Sequence, residues 1–162
     1  MSSSYNNATR ASKEFKNVYV IDTKSLSTGI ALLAIYARKL ANLNLAPFDI
    51  VDRITKRIPS VQASFVLSRL DYLFKGGRCN YLSYLSAALL KIRPQIIVQN
   101  GEMKPRSKYV GKYNRCIEKY VLDTLDSFNT PDLKTMNSMF MNSGLASING
   151  DIVLLSLSLY FW

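Results

Sequence analysis

The chain has 162 residues, 48% of them apolar and 20% charged, enough for one domain or for one domain plus part of another, and its sparse Gly and Pro exclude a disordered or fibrous protein. Its net charge is +10 and it contains no histidine, which removes the commonest general base, the usual metal ligand and any Ser-His or Cys-His nucleophilic pair. The eleven Asp and Glu are scattered, with no pair set off by an apolar surrounding, so the chain reads as a non-enzyme with no metal and no cofactor.

The start, Met1 to Asn7, lacks a basic stretch followed by an apolar run, and no apolar segment reaches the roughly 20 residues of a membrane-spanning helix. A cytoplasmic protein without a transmembrane segment is expected. Cys79 and Cys116 have no metal-ligand spacing and read as two reduced thiols.

In chain order, a helix is expected from about Tyr5, with Ser2-Ser3-Ser4 as hydroxyls that cap it or meet an anion. Val18-Tyr19-Val20-Ile21 is a β-branched and aromatic run that reads as a buried strand. The loop after it carries Thr23, Ser25 and Ser27, at the place where open α/β sheets bind ligands. Ile30, Leu33, Ala34, Ala37, Leu40 and Ala41 then recur at helical spacing, with Ser27 or Thr28 as N-cap. Pro47 opens another helix with Ile50, Val51, Ile54 and Ile58 on its apolar side, and Pro59 stops it. Alternating helix and strand is the pattern of a parallel sheet covered by helices.

After Pro59 the pattern changes. Val61, Ala63, Phe65 and Leu67 alternate as in a strand, Leu70, Leu73 and Phe74 mark a short helix ended by Gly76-Gly77, and a second helix covers about Tyr81–Lys91. Ile96-Ile97-Val98 before Asn100-Gly101 is a strong hairpin signal, because both central residues of a type I′ turn need positive φ. The returning strand is expected from Glu102 to about Val110, and a helix from Tyr113 to Phe128 with Tyr113, Ile117, Tyr120, Val121 and Leu125 inward. From Thr135 to Trp162 the only charge is Asp151, an atypical composition.

Between Pro59 and Tyr120 eleven Lys or Arg face three carboxylates, a net +8, which calls for an anionic partner or a solvated basic surface. Gly76-Gly77-Arg78 is either a glycine cap or a place where a backbone approaches closely while an arginine fork grips a carboxylate or phosphate. Lys104, Arg106, Lys108 and Lys112, interleaved with Tyr109 and Tyr113, fit an alternative in which the hairpin binds nucleic acid or an anionic surface. No nucleic-acid motif accompanies them, so no nucleic acid is expected as partner.

The run Phe65-Val66-Leu67-Ser68-Arg69-Leu70-Asp71-Tyr72-Leu73-Phe74-Lys75-Gly76-Gly77-Arg78-Cys79 closely resembles the DegV family of bacterial fatty-acid-binding proteins. So do Leu89-Leu90-Lys91-Ile92-Arg93-Pro94 with Asn100-Gly101, and Val20 to Gly29 before its helix, while Ser2 to Ala8 is similar to the family's Ser-Gly-Thr-Tyr segment. The resemblance covers about Ser2 to Leu133. It implies an α/β chain, with residues 1–58 as the rear part of a Rossmann-like parallel-sheet domain and 59–162 as a partial second domain with an antiparallel hairpin, 135–162 being atypical.

The resemblance also implies a function: a long-chain fatty acid held between two domains, its carboxylate presented to a fatty acid kinase. Ser2 matches the family serine that bonds the carboxylate, with Ser3 beside it. Arg78, with Gly76 and Gly77, matches an arginine of the head group and of kinase docking, and Thr23, Ser25 and Ser27 fall near the ligand. The family's Thr-Ser-Gln-Pro motif before Ser2 and its late His-Cys/Leu-Gly segment have no counterpart here, and an arginine is usual where Val110 stands. A truncated family member is therefore expected, with a non-functional gene product as a further alternative.

Overall fold

In a computed structural model, the structure describes residues 3–67 and 92–127 in full and 155–160 as backbone. The expected helices at Leu70–Phe74 and Tyr81–Lys91, together with Cys79, lie outside the described residues.

Helix α1 (Ser3–Ser12) buries none of its residues. Helix α2 (Thr28–Asn42) and helix α3 (Pro47–Arg57) pack against each other across the short connection 43–46, and Pro47 opens α3 where a missing N–H costs nothing. Leu33, Leu40 and Ile54 are buried between them, with Ile21, Ile50 and Ile58 packed around. The apolar spacing of α2 is therefore half realised: Leu33 and Leu40 are buried, whereas Ile30, Ala34 and Ala41 face solvent.

A 3-10 turn (Ile58–Ser60) leads into a four-stranded antiparallel sheet of order β3-β2-β1-β4. Its strands are β1 (Val61–Val66), β2 (Ile92–Gln99), β3 (Glu102–Val110) and β4 (Leu155–Tyr160). The β2–β3 turn is the expected one. Asn100 and Gly101 have φ of 54° and 81°, the left-handed pair whose twist matches two right-twisted strands. Pro94 sits in β2 beside an irregularity of pairing at Pro94/Ile96, where a strand tolerates a residue without an N–H.

Strand alternation gives the sheet two faces. Ser64 and Val66 meet helix α4 (Tyr113–Asp126), through a cluster of Val66, Tyr109, Cys116 and Tyr120 and a 2.8 Å hydrogen bond between Ser64 Oγ and Tyr120 Oη. Four of the five inward residues expected on this helix pack in or against that cluster. Buried Cys116, a free thiol, completes it. The opposite face carries Ala63 and Phe65. Gly29 in the first turn of α2 lies there, where an added Cβ would stand 3.4 Å from Ala63 Cβ and collide with Ser25 Oγ. A side chain at this position would push α2 off the loop that precedes it.

One expectation is corrected. Val18–Ile21 is not a strand, and every strand pair among the described residues is antiparallel. A β-branched run becomes a strand only when a neighbour takes its backbone hydrogen bonds, and no strand among the described residues is paired with it; Ile21 instead packs against the α2–α3 pair. Within the compositionally atypical tail, Leu155–Tyr160 adds a strand to the sheet, paired with β1 from Val61↔Tyr160 to Val66↔Leu155.

Tyr109, buried on β3, offers a pH test. Burial, with the Asp123 carboxylate adding to it, pushes its phenol from 10.0 up to about 12. The unfolded chain then ionises this phenol first, so the stability it contributes is intact below pH 10.0 and is lost as the pH rises through about 12. Denaturant unfolding across this range should show a shallower alkaline fall for Tyr109→Phe than for the unaltered chain. Parallel curves would remove Tyr109 from the alkaline limb.

Candidate functional site

A cavity of about 760 Å³ opens where the first segment meets the sheet, a size within the range of small-molecule sites. One wall comes from Tyr5 of α1, the segment Val20–Lys24, and Thr55, Ile58 and Pro59 at the end of α3. The other comes from Val61 and Gln62 of β1, Ile97–Gln99 of β2, Asn100 of the turn and Arg106 of β3.

Local geometry explains how these parts meet. Lys24 has φ of 48°, a left-handed conformation that turns the chain sharply after Ile21. Its carbonyl accepts a 3.0 Å hydrogen bond from Gly101 N–H, and its own N–H donates to Asp22 Oδ1 at 3.1 Å. The loop is thus tied to the tip of the β2–β3 hairpin. The two cations of the lining, Lys24 and Arg106, outnumber its one carboxylate, Asp22, and Val20, Ile21, Ile58, Pro59, Val61, Ile97 and Val98 supply apolar surface. Such a lining suits an amphiphile with an anionic head: the cations offer charge-assisted hydrogen bonds, and the apolar wall takes the rest.

The structure distributes the expected site residues unevenly. Thr23 lines the cavity. Ser25 does not; its Oγ is buried against Gly29 without a hydrogen-bond partner among the described residues. Ser27 occupies the N-cap of α2 with φ of 49°, is exposed, and makes no side-chain cap bond, so its capping role is not realised. Ser3 is exposed at the first residue of α1, two residues before the cavity-lining Tyr5. Ser2, Gly76, Gly77 and Arg78 lie outside the described residues.

Of the basic hairpin residues, Arg106 reaches the cavity, Lys104 pairs with Glu102 at 3.1 Å, and Lys108 and Lys112 are exposed. Sequence reasoning missed Lys24, Gln62 and Gln99 as lining residues. Alternation along β1 and β2 marks which side chains share a face, but not which stretch of that face stays uncovered.

No group of three or more His, Cys, Asp or Glu residues is placed to hold a metal ion among the described residues, and no helix there is long and apolar enough to cross a membrane.

Residues 1–139 match the family model described as "Uncharacterised protein, DegV family". The chain belongs to the DegV family. It is 36% identical over 114 residues to a "Fatty acid-binding protein" of Thermotoga maritima, an alignment covering 68% of this chain and 40% of the relative. It is similar in structure to a Thermotoga maritima protein described as revealing fatty acid binding function, at 34% identity and a TM-score of 0.65, over 80% of this chain and 44% of the other. The Streptococcus pneumoniae Fatty Acid Kinase (Fak) B3 protein loaded with linoleic acid gives a TM-score of 0.69 at 26% identity, covering 78% and 47%. A Thermus thermophilus DegV protein superposes over 99% of this chain at 16% identity with a TM-score of 0.75, a likeness of fold. The DegV chain thus spans half or less of the length of the curated relatives it matches.

Proposed function

We propose that this DegV chain binds a long-chain fatty acid in the cavity between the Val20–Lys24 loop and the sheet, and that it carries the acid without transforming it. The observation that carries the reading is the lining itself, with two cations over an extended apolar wall, in a chain whose relatives are named for fatty-acid binding. Burial of the alkyl tail is worth about 0.8 kcal/mol per CH₂, so a long chain supplies affinity while the cations set the direction of entry.

In this reading Ser2 and Ser3, at the start of α1, donate to the carboxylate together with Lys24 and Arg106, and Thr23 stands at the loop side. Arg78, with Gly76 and Gly77, serves the head group or docking to a fatty acid kinase that receives the bound acid. Residues 1–58 and 59–162 act as the two parts between which the acid lies. The likeness to the Streptococcus pneumoniae Fak B3 protein supports the kinase partnership.

The test is native mass spectrometry of the purified chain, followed by uptake of a radiolabelled fatty acid. A co-purifying acyl chain and saturable uptake are expected. A protein that emerges empty and takes up no label would sink the proposal. Retention of labelled RNA or DNA with a steep loss on raising salt would favour the basic hairpin as a nucleic-acid surface instead.

A further inference from the structure

Residues 3–24 are only lightly held to the rest of the chain. No residue from Ser3 to Thr28 is buried as a whole, residues 13–19 are exposed throughout, and Gly29, close to Ala63 of β1, is the first position set inside the fold. Among the described residues, Ile21 is the one apolar side chain of this stretch that packs against a buried cluster. One backbone hydrogen bond between described residues joins the stretch to a distant part of the chain, from Gly101 N–H to the Lys24 carbonyl at 3.0 Å. The backbone bonds donated by residues 13–15 are local, each to a carbonyl three residues back. A segment with few buried contacts and few non-local hydrogen bonds is the one that opens first in a folded protein.

This lightly held stretch is also a wall of the cavity, through Tyr5 and residues 20–24, and it faces the sheet. At its end stand two non-glycine residues in the left-handed region, Lys24 with φ of 48° and Ser27 with φ of 49°. Such conformations carry strain, and hinges are short stretches that absorb a change of backbone angle. Helix α2 beyond them is anchored, with Gly29, Leu32 and Leu33 buried. A movable wall, a strained bend and a fixed helix therefore follow one another in the chain.

We propose that residues 3–24 form a strap that swings about residues 25–28 to admit and release the acyl chain, with the Lys24–Gly101 hydrogen bond as its latch. The acid is the one assigned to the cavity above, so the strap rests on that reading. Opening breaks the latch and lifts Val20 and Ile21 away from the sheet. Closing returns them over the alkyl tail, shuts out water and brings Lys24 back to the head group.

The latch can be made covalent. A Cβ placed on Gly101 would stand 4.0 Å from Lys24 Cβ, within the separation of about 3.5–4.5 Å that a disulfide spans. The full chain carrying Lys24→Cys and Gly101→Cys is compared with itself, oxidised and reduced, so the strain of a side chain at Gly101 and the loss of the lysine are common to both forms. Stopped-flow fluorescence follows loading with cis-parinaric acid and its displacement by oleic acid. Oxidation should slow loading and release alike, each by about tenfold or more, while the equilibrium affinity changes by less than about threefold. Hydrogen exchange on the unaltered chain gives a reading that needs no variant. Without ligand, the amides of residues 20–23 and of Gly101 should exchange faster than those of the β1–β2 ladder, and loading with oleic acid should slow them.

Equal rates in the two redox states, with the acid bound in both, overturn the strap and leave the fatty-acid reading standing. So does slowed release with unslowed loading, which is tighter binding and not a gate. Failure of the two cysteines to cross-link in a folded protein, or Gly101 and residues 20–23 exchanging as slowly as the ladder before loading, also overturns the strap. An unaltered, folded chain that binds neither acid overturns both readings.

Discussion

Tyr120→Ala should lower the unfolding free energy by about 3–5 kcal/mol, the largest stability effect expected of a single substitution in the described residues. Tyr120 is 0% exposed and sits in the cluster that joins α4 to the sheet, beside Val66 and Cys116. Its ring meets Tyr109 edge-on, with centroids 6.3 Å apart at 74°, the arrangement aromatic quadrupoles favour. Truncation leaves a cavity there and strips Ser64 Oγ, also 0% exposed, of the tyrosine's hydrogen bond. Tyr120→Phe isolates that second part, and about 1–3 kcal/mol is expected because Ser64 stays buried without that partner. Adding Ser64→Ala to Tyr120→Phe should recover most of this, since removing both partners at once is close to neutral. Urea unfolding of the unaltered chain, Tyr120→Phe, Ser64→Ala and the double variant reads the cycle. A Tyr120→Ala loss under about 1 kcal/mol would mean that α4 does not pack on the sheet as described.

Arg106→Glu should weaken binding of a labelled fatty acid by about 10- to 100-fold, with little change in unfolding midpoint. The lost contact is a charge-assisted hydrogen bond, worth about 1.5–3 kcal/mol, and the new carboxylate repels the head group. Arg106 is exposed along β3 while reaching the cavity, so its replacement disturbs no packed core. Affinity in the unaltered chain should fall as salt rises, and more steeply than in the variant, as screening predicts for a partly solvated pair. Reversal of Lys108, on the same strand but outside the cavity lining, is the control and should leave affinity nearly unchanged. If Lys108→Glu weakens binding as much as Arg106→Glu, the attraction is a diffuse field and not a contact.

Features that depend on neighbours in the chain were readable from the residues. Pro47 at the start of α3, the helical spacing of Leu33 and Leu40, the inward residues Ile117, Tyr120, Val121 and Leu125, and the Asn100-Gly101 turn all follow from local backbone and spacing rules. The family was legible too, because its motifs are runs of consecutive residues, and the match over residues 1–139 agrees with them.

What needed the tertiary structure is whatever depends on residues far apart in sequence. Val18–Ile21 has the composition of a strand, yet strand formation is decided by a partner for its backbone, and here Val20 and Ile21 become part of a cavity wall while Val18 and Tyr19 are exposed. The tail, whose composition pointed away from the rest, pairs its backbone with β1, since ladder hydrogen bonds need a free edge more than a particular side chain. Ser25 and Ser27 look equivalent to Thr23 as loop hydroxyls. The left-handed bend at Lys24 and the bare Cα of Gly29 send Ser25 inward and leave Thr23 alone of the three in the lining. By itself, then, the sequence determined the elements with local causes, the basic charge and the family. The folded chain decided which cations line one cavity, since Lys24 and Arg106 are joined through the Gly101–Lys24 hydrogen bond and the pairing of β3 with β2, contacts that no local pattern encodes.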